Sequence, residues 1–539
     1  MEDVPPQMRL LPRAIDFRAQ QTPDRLYAFL PKGPNVEDGF SKFTYSGLSK
    51  AVDAMAWWLD KVLDAESRVV PYIGANDIRY GLLVFAAIKT GRVAMVPLMY
   101  NTPEGQVKLL QQLGCNVVVA SAGCERYWSS SLEAMDGLRL VTMPGPEIFL
   151  EEPHKPYPFQ KSWDEGRDDA MVLMQTSGTT GNPKPLRWSH GLIQDFIERL
   201  TLSKNRSLDD RLGTEASMHS AWTPNLLPLS WGMGLFHLIA FPLVFENIVT
   251  VLPSSVPHPV PAEFVHKLIQ YGPMGPTNGA MFVPDVLKDL VRNPAYLESL
   301  KKYDWVGFAG APLAHSIGDV LTKTRIRVQS IMGQMDSGGY PTLISSLDDW
   351  KYARFEEIQG FHLQSFSQDT WELCVRRQPG DQRPAFLLNP EIDVYHTRDL
   401  WKKVPGLEGY WATAGRVDDF VKLASLTKFN AIVIESVLEQ DPGIEKALVG
   451  GDGRNWPFVL LEPSQQLRET CGGQVELMIE SVWPQLQMAN TSIHADARLG
   501  KDLLLFTAAE SPIQRTAKGT SQRQATFAIY AKDIEALYS

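Results

Sequence analysis

Between Met174 and Pro185 the chain reads MQTSGTTGNPKP, a run of hydroxyls, two glycines, two prolines and one lysine directly after an apolar stretch. These residue types suit a phosphate group. Glycines let backbone N–H groups approach, hydroxyls donate as well, and Lys184 brings compensating charge. The spacing is not GxxxxGK(S/T), which excludes a Walker-type loop, and it is not GxGxxG either. Taken alone, the stretch reads as well as an ordinary polar turn.

Such a loop needs elements to hold it. Met171 to Thr176 read as an apolar strand. GLIQDFIERL, after the loop, sets Leu192, Ile193, Phe196, Ile197 and Leu200 on one helical face, so the loop is expected between a strand and a helix. The same alternation recurs. SRVVPYIG, DIRYGLLVFAAIKTG and VAMVPL read as strand, helix and strand, QVKLLQQLG and NVVVAS repeat it, and AEFVHKLIQYG, AMFVPDVLKDLV and YDWVGFAG do so again. Short apolar runs ending near Gly or Pro predict strands buried under helices, an α/β layering. Leu235 to Pro253 is the most apolar long stretch, but His237, Pro242, Glu246 and Asn247 interrupt it. That pattern predicts a buried helix and strand rather than a membrane span. Near Gly415 to Asp419 the composition turns polar after the connection KKVPGLEGYW, leaving about 120 residues, enough for one small domain. The sequence has no long linker, low-complexity tract or internal repeat.

A chain of 539 residues exceeds what one hydrophobic core organises. Its 44% hydrophobic and 21% charged residues match a globular protein, and a net charge of −10 argues against a non-specific hold on nucleic acid. Cys115, Cys124, Cys374 and Cys471 lack CxxC spacing and are expected to be buried, reduced thiols. MEDVPPQMRL has neither the basic start nor the apolar run of a signal peptide, so a cytoplasmic protein is expected.

TSGTTGNPKP resembles the phosphate-binding loop of the adenylate-forming (ANL) superfamily, which includes acyl-CoA synthetases, luciferases, peptide-synthetase adenylation domains and carboxylic acid reductases. Six further segments follow in that family's order. LPLSWGMG (227–234) resembles the acyl-pocket segment, FAGAPL (308–313) the segment along adenine, and IMGQMDSGG (331–339) stands in place of the YGxTE motif. YHTRDL (395–400) resembles the segment whose aspartate holds the ribose hydroxyls, AGRVDDFVK (414–422) the hinge, and PIQRTAKGTSQR (512–523) the terminal lysine loop. With seven motifs in order, the sequence is identified as a member of this superfamily. GDGRNWPFVLLEP and the ending YAKDIEALY are most similar to fungal NRPS-like, reductase-type synthetases, in which an adenylation region precedes a carrier domain and a reductase or thioesterase. The chain stops where the carrier would begin, so an excised adenylation region or a stand-alone relative is expected. No dinucleotide-binding unit follows, so reduction is not expected of this chain alone.

The resemblance implies an α/β fold: a large N-terminal adenylate-forming domain of layered β-sheets and helices (1–417) and a smaller, mobile α+β C-terminal lid domain (418–539). It implies activation of a carboxylic acid by ATP and Mg²⁺ to an acyl-adenylate with release of pyrophosphate, then transfer to a phosphopantetheine thiol on a carrier domain in cis or trans. Thr176, Ser177, Gly178, Thr179, Thr180, Gly181 and Lys184 fall on the β- and γ-phosphates. Gly310, Ala311, Pro312 and Met332 lie along adenine, and Asp399 takes the ribose hydroxyls. Arg416 adds charge near the ribose and phosphates. Asp336 stands where the family has its Mg²⁺-binding glutamate, one methylene shorter. Met335 replaces a threonine that donates to the α-phosphate, and a thioether cannot donate; losing one such donor can cost about 3 kcal/mol. Lys518, before Gly519 rather than after it, is the lysine for the carboxylate and α-phosphate. Asp418 marks the hinge about which the small domain turns between half-reactions. Read without the motifs, Asp399 is a solvated or capping aspartate, Arg416 a surface arginine and Lys518 an exposed loop lysine.

Amino-acid-activating relatives hold the substrate ammonium with an aspartate that falls here on Gly232. The resemblance therefore points away from α-amino acids. Trp231 beside it suits an aryl acid or, through its indole face, a betaine-like cation, and a short aliphatic acid also fits. Met233, Asn278, Met281, Ala309, Gly310, Met332 and Gly333 are further wall candidates. Two alternatives stay open: a free-standing acyl-CoA ligase, and a degenerate nucleotide-binding protein without catalysis, to which the altered MGQMD sequence points.

Overall fold

Short runs rich in Val, Leu and Ile recur along the chain and become its strands. The structure is a computed structural model that describes all residues except 1–3, 6–7, 100, 152–154, 178–182, 208–209, 368, 426, 492–497, 516–520 and 539. The chain divides into two compact units. Unit 1 comprises Met1–His362, Cys374–Thr397 and Val404–Trp411, and unit 2 comprises Leu363–Leu373, Arg398–Lys403 and Ala412–Ser539.

In unit 1 the first strands are β1 (Leu26–Pro31), β2 (Phe40–Thr44), β3 (Val69–Ile73), β4 (Val93–Met95), β5 (Val117–Ser121), β6 (Arg139–Met143), β7 (Ala170–Ser177) and β8 (Pro183–Ser189). The last six form one sheet ordered β6-β5-β3-β4-β7-β8. Its described pairings are parallel except for the β7/β8 hairpin. Helix Arg79–Lys89, buried along its whole length, carries the chain from β3 to β4, and Pro103–Gln112 carries it on to β5. Each fully buried Leu, Val or Phe of the first helix contributes about 1.5–3 kcal/mol, which explains why so apolar a helix sits inside rather than on the surface.

The hairpin corrects one expectation. The helix does not follow the glycine-rich loop. Strand β8 intervenes, and the helix Gly191–Lys204 begins only after it. Pro183 and Pro185 disguised β8, yet β8 is the edge of its sheet, where a missing N–H does not break the ladder. The helix face was read correctly in its essentials: Leu192, Ile193, Ile197 and Leu200 are buried and Phe196 is half-buried.

Leu235 to Pro253 resolves into the end of helix Gly232–Ile239, a second short helix Phe241–Val244 opened by Pro242, and a strand. Among the described residues no helix is long and apolar enough to cross a membrane. Strands β9 (Trp222–Pro224) and β10 (Ile248–Thr250) join β1 and β2 in a sheet ordered β2-β1-β10-β9. Strands β11 (Gly279–Phe282), β12 (Trp305–Phe308) and β13 (Arg327–Ser330) form a parallel sheet, followed by a small hairpin of β14 (Gly333–Gln334) and β15 (Gly338–Gly339).

The boundaries of the units fall within β16 (Phe361–Ser365), β17 (Trp371–Arg376), β18 (Val394–Lys403) and β19 (Trp411–Arg416). Unit 2 continues with the hairpin β20 (Phe420–Lys422) and β21 (Lys428–Asn430), then β22 (Ile444–Gly450), β23 (Phe458–Pro463) and β24 (Leu504–Phe506) in one sheet. Helices Ala431–Leu438 and Val475–Asn490 cover it, closing Ile434, Leu438, Val449, Leu461, Val482 and Leu486 into one core. None of the four cysteines is in a disulfide. Three are buried as expected, but Cys124 is half-buried because it caps the short turn Glu125–Trp128 at the end of β5.

Candidate active site

In open parallel sheets, ligands gather outside the carboxyl ends of the strands. In unit 1, β7 delivers its carboxyl end to the glycine-rich loop, and the register of the hairpin sets Thr176 opposite Lys184. Gly178, Thr179, Thr180 and Gly181 lie outside the described residues, as does the side chain of Ser177. One residue earlier, Gln175 exchanges two hydrogen bonds with Asn101: Asn101 Nδ2 donates to Gln175 Oε1 at 2.8 Å and Gln175 Nε2 donates back to Asn101 Oδ1 at 2.6 Å. Leu98 N adds a bond to the same Oε1 at 3.3 Å, so the segment after β4 is fastened beside the base of the loop.

The segment 227–234 is fixed from both sides. Asn76, just past the carboxyl end of β3, accepts from Leu229 N at 2.7 Å, and Asn225 Nδ2 donates to Gly234 O at 2.8 Å. Trp231 stands at the N-cap of helix Gly232–Ile239, and Phe236 one turn on packs against Trp188 of β8 with ring centroids 4.3 Å apart. Trp231 and Met233 are half-buried, and Met335 lies directly over buried Gly232.

One of the expected wall residues, Asn278, is placed elsewhere, whereas Met281 lies in the core against which Met233, Ala309 and Met335 pack. Asn278 precedes β11 at its amino end, and its side chain is spent on a turn, accepting from Gly275 N and donating to Gly275 O at 2.7 Å each. Ala309, Gly310, Met332 and Gly333 all follow the carboxyl ends of β12 and β13, about 13 Å along the strand direction from that turn. Met281 is 1% exposed and packed into the main core.

The carboxyl edge of β12 and β13 holds the remaining candidates of unit 1. Gly310 has φ +88°, which turns Ala309–Pro312 sharply across the edge. Gly333 pairs with Gly339 so closely that a Cβ there would lie 2.7 Å from Gly338 O and 2.8 Å from Gly339 Cα. Only glycine lets this hairpin close and hold Met335, Asp336 and Ser337 at its tip. Ala385 N donates to Asp336 O at 2.9 Å, Arg199 Nη1 donates to Gly339 O at 2.8 Å, and Gln334 Nε2 donates to Thr397 O at 2.7 Å. Burial pushes the Asp336 carboxyl up from its ordinary value, while its own backbone N–H and the charge of Lys184 pull it back. A desolvated carboxylate of this kind fits a hard divalent cation that shares its remaining positions with substrate phosphates.

Behind the turn, Asp195, Arg199, Arg383 and Ser337 surround a small cavity. Burial raises Asp195 to about 6, offset by the attraction of Arg383 and Arg199. Arg199 forms an ion pair with Glu215 at 3.4 Å, and Arg383 one with Asp381 at 3.4 Å.

Unit 2 carries the other candidates. Arg416 Nη1, at the end of β19, donates to Asp399 Oδ1 of β18 at 2.6 Å, and Arg416 N donates to Asp419 Oδ2 at 2.8 Å. Asp418 lies in the turn Val417–Asp419, its side chain outside the described atoms. Lys518 lies outside the described residues, but the base of its loop is described. Arg515 and Ser521 form an antiparallel bridge, Gln522 N donates to Gln514 O at 2.7 Å, and Arg515 pairs with Glu462 at 3.0 Å. Arg523 then locks onto buried Glu435 at 2.5 Å and donates to Val449 O at 2.8 Å, anchoring the loop's downstream end to β22.

Asn76, Asn101, Gln175, Asp195 and Arg199 escaped sequence reasoning. Most of their partners stand far along the chain, 153 positions for Asn76 and 140 for the Gly339 contact of Arg199, and the i,i+4 spacing of Asp195 and Arg199 is too common on helices to mark a site.

With the geometry described, the relatives can be compared. A carboxylic acid reductase of Neurospora crassa is 26% identical over 98% of this chain and 50% of its own length. Adenylate-forming reductase Nps11 of Serpula lacrymans is likewise 26% identical, over 98% of this chain and 49% of its own. The chain thus spans about half the length of the curated relatives it matches. A benzoate CoA ligase from Burkholderia xenovorans LB400 shares the fold, with a TM-score of 0.68 at 15% identity over 96% of this chain and 99% of that one. The reductase-type resemblance read from the motifs agrees with these findings. Residues 15–354 match the AMP-binding enzyme family and residues 418–539 match the AMP-binding enzyme C-terminal domain. The chain belongs to the AMP-binding enzymes and is an adenylate-forming enzyme of the ligase type.

Proposed function

We propose that the chain activates a carboxylic acid other than an α-amino acid, of aryl, short aliphatic or betaine-like class, with ATP, and passes the acyl group to a phosphopantetheine thiol of a carrier domain. The observation that carries this reading is a convergence in unit 1: Lys184 acts on the Asp336 carboxyl while Met335, beside Asp336, covers Gly232 of the acyl segment. Phosphate-binding and acid-binding stretches that lie far apart in sequence thereby meet at one turn.

In the reaction the acid's carboxylate oxygen bonds to the α-phosphorus of ATP, and the bond to the bridging oxygen breaks, releasing pyrophosphate. Two anions must meet, so positive charge and positioning carry most of the catalysis. Lys184 and the glycine-rich loop would hold the β- and γ-phosphates, Asp399 the ribose hydroxyls, and Arg416 would add charge beside them. Ala311, Pro312 and Met332 would lie along adenine. Asp336 would hold Mg²⁺, which when bound supplies charge at the phosphates. Lys518 would bridge the carboxylate and the α-phosphate, and residues 418–539 would turn about Asp418 between half-reactions. The reductase-type relatives support a carrier as acceptor, and four thiols outside any disulfide are compatible with a cytoplasmic setting.

Acid-dependent release of pyrophosphate from ATP, screened over aryl, short aliphatic, betaine-type and α-amino acids, tests the reading. Release with one of the first three classes, abolished in Lys518→Ala, is expected. ATP binding without release for any acid would replace it with the non-catalytic alternative. Acyl transfer to free CoA in preference to a carrier would make the chain a CoA ligase.

A further inference from the structure

Gly232 opens the helix Gly232–Ile239 and is buried. A Cβ at this position would overlap Met335 Sδ, lie 2.8 Å from Met335 Cε and stand 3.8 Å from Met174 Sδ. Met335 therefore occupies the space that any side chain at 232 would need. Met174 belongs to β7 and is 2% exposed, and Met335 packs partly buried against the same core. Three elements separated in sequence (the strand before the phosphate loop, the start of the acyl helix and the tip of the Asp336 turn) thus meet through two thioethers and one glycine.

We propose that Met335 determines acid specificity: its thioether, laid across Gly232 and against Met174, closes one wall of the acyl-binding space and restricts the substrate to acids with a small apolar tail. The inference rests on the adenylation reading and adds what limits the acid. An unbranched thioether is polarisable and conforms to what it touches, and sulfur meets aromatic edges favourably. It offers no charge to an ammonium and no donor to a polar tail. A wall of this chemistry favours an aryl or short aliphatic acid over a zwitterionic or polar one. Because Met335 adjoins Asp336, the group that limits the acid rides on the turn that bears the candidate metal carboxylate. A tail too large for the wall would displace both.

The test uses the full chain with Met335→Ala, Met335→Leu, Gly232→Ala and the double variant Gly232→Ala/Met335→Ala. Pyrophosphate release is read over two homologous series, benzoates with growing para-alkyl groups and linear acids of increasing length, alongside thermal unfolding of every variant. Met335→Ala is expected to raise kcat/KM for longer acids relative to shorter ones by about tenfold per added methylene that enters the freed space. Met335→Leu, nearly equal in volume, is expected to keep the wild-type profile. Gly232→Ala has only to push aside the flexible end of Met335, so it should leave the unfolding temperature nearly unchanged while shifting the length profile, and adding Met335→Ala should remove that shift. A wild-type enzyme that is active, with a length profile unmoved by Met335→Ala, overturns this inference alone. A length profile that Gly232→Ala shifts equally with and without Met335 overturns the contact on which it stands. A wild type silent with every acid overturns the adenylation reading and this inference with it.

Discussion

Arg199 in unit 1 and Arg416 in unit 2 each serve a carboxylate in a region that bears candidate site residues, yet water meets them very differently. The side chains of Arg199 and its partner Glu215 are 5% and 4% exposed, whereas those of Arg416 and Asp399 are 44% and 22% exposed. The first pair is part of the framework: Arg199 holds Gly339 O, at the foot of the Asp336 turn, and faces Asp195. The second is a surface contact whose groups water solvates nearly as well as they solvate each other. The pair in unit 1 is thus fixed by the fold around it, and the pair in unit 2 consists of groups that can rearrange at little cost.

The sharpest way to break this contrast is to remove the buried cation. Arg199→Met leaves Glu215 and Asp195 as desolvated carboxylates with one cation fewer and strips the donor from Gly339 O. The expected loss is about 3–5 kcal/mol in the denaturant-induced unfolding of unit 1. Arg199→Lys, which keeps the charge but not the fork, should fall between variant and wild type. An unfolding midpoint unchanged by Arg199→Met would mean that the cluster is not structural and that the contrast is false.

Asp195 gives the second-largest effect and a pH signature. Burial lifts its carboxyl from 3.8 to about 6, with Arg383 and Arg199 attracting the charged form and Asp381 and Glu198 opposing it. Because the folded-state value lies above the unfolded one, its contribution is fully present at low pH and is lost as pH rises through about 6. Asp195→Asn cannot ionise. Its stability relative to wild type should therefore rise between about pH 4 and pH 8, by at most about 3 kcal/mol. A difference between the two proteins that is flat with pH would place Asp195 in water rather than in the cluster.

The contrast was only partly legible in the sequence. Helix-period patterns located Leu192, Ile193, Ile197 and Leu200, and motif order singled out Lys184, Asp336, Asp399 and Arg416 as candidates, because each of those signals is local. Strand β8 was missed because two prolines imitate a loop, and only its edge position, a tertiary fact, permits them. Asn278 was misplaced for a related reason. Being on the right strand does not say which end or face of it points to the site, and pairing of β11 with β12 decides that. Arg199 and Asp195 went unmarked, since a helix-period pattern records apolar faces and is blind to charges buried against a distant turn.

Asp399→Asn sharpens the comparison from the exposed side. An amide in place of the carboxylate keeps one acceptor for the ribose hydroxyls but loses the charge, so KM for ATP should rise about tenfold. Unfolding should hardly change, because the pair with Arg416 is half in water. A stability loss like that of Arg199→Met would reclassify the pair as framework.

Arg416→Ala should produce the smallest effect on stability, and the reason is specific. Its backbone N–H holds Asp419 at 2.8 Å whatever the side chain, so the turn Val417–Asp419 keeps its anchor after truncation. The loss includes the ion pair with Asp399, and because the Arg416 side chain is 44% exposed that contact contributes about 0–1 kcal/mol. The consequence should appear in function instead: weaker ATP binding at low salt, with the difference from wild type shrinking as ionic strength screens the guanidinium. Buried Arg199 provides the control, because salt barely reaches a pair that water does not, and the defect of Arg199→Met should persist at every ionic strength. If the two variants responded to salt alike, the two arginines would share one environment, and the division between a buried framework pair and a solvated surface pair would have to be abandoned.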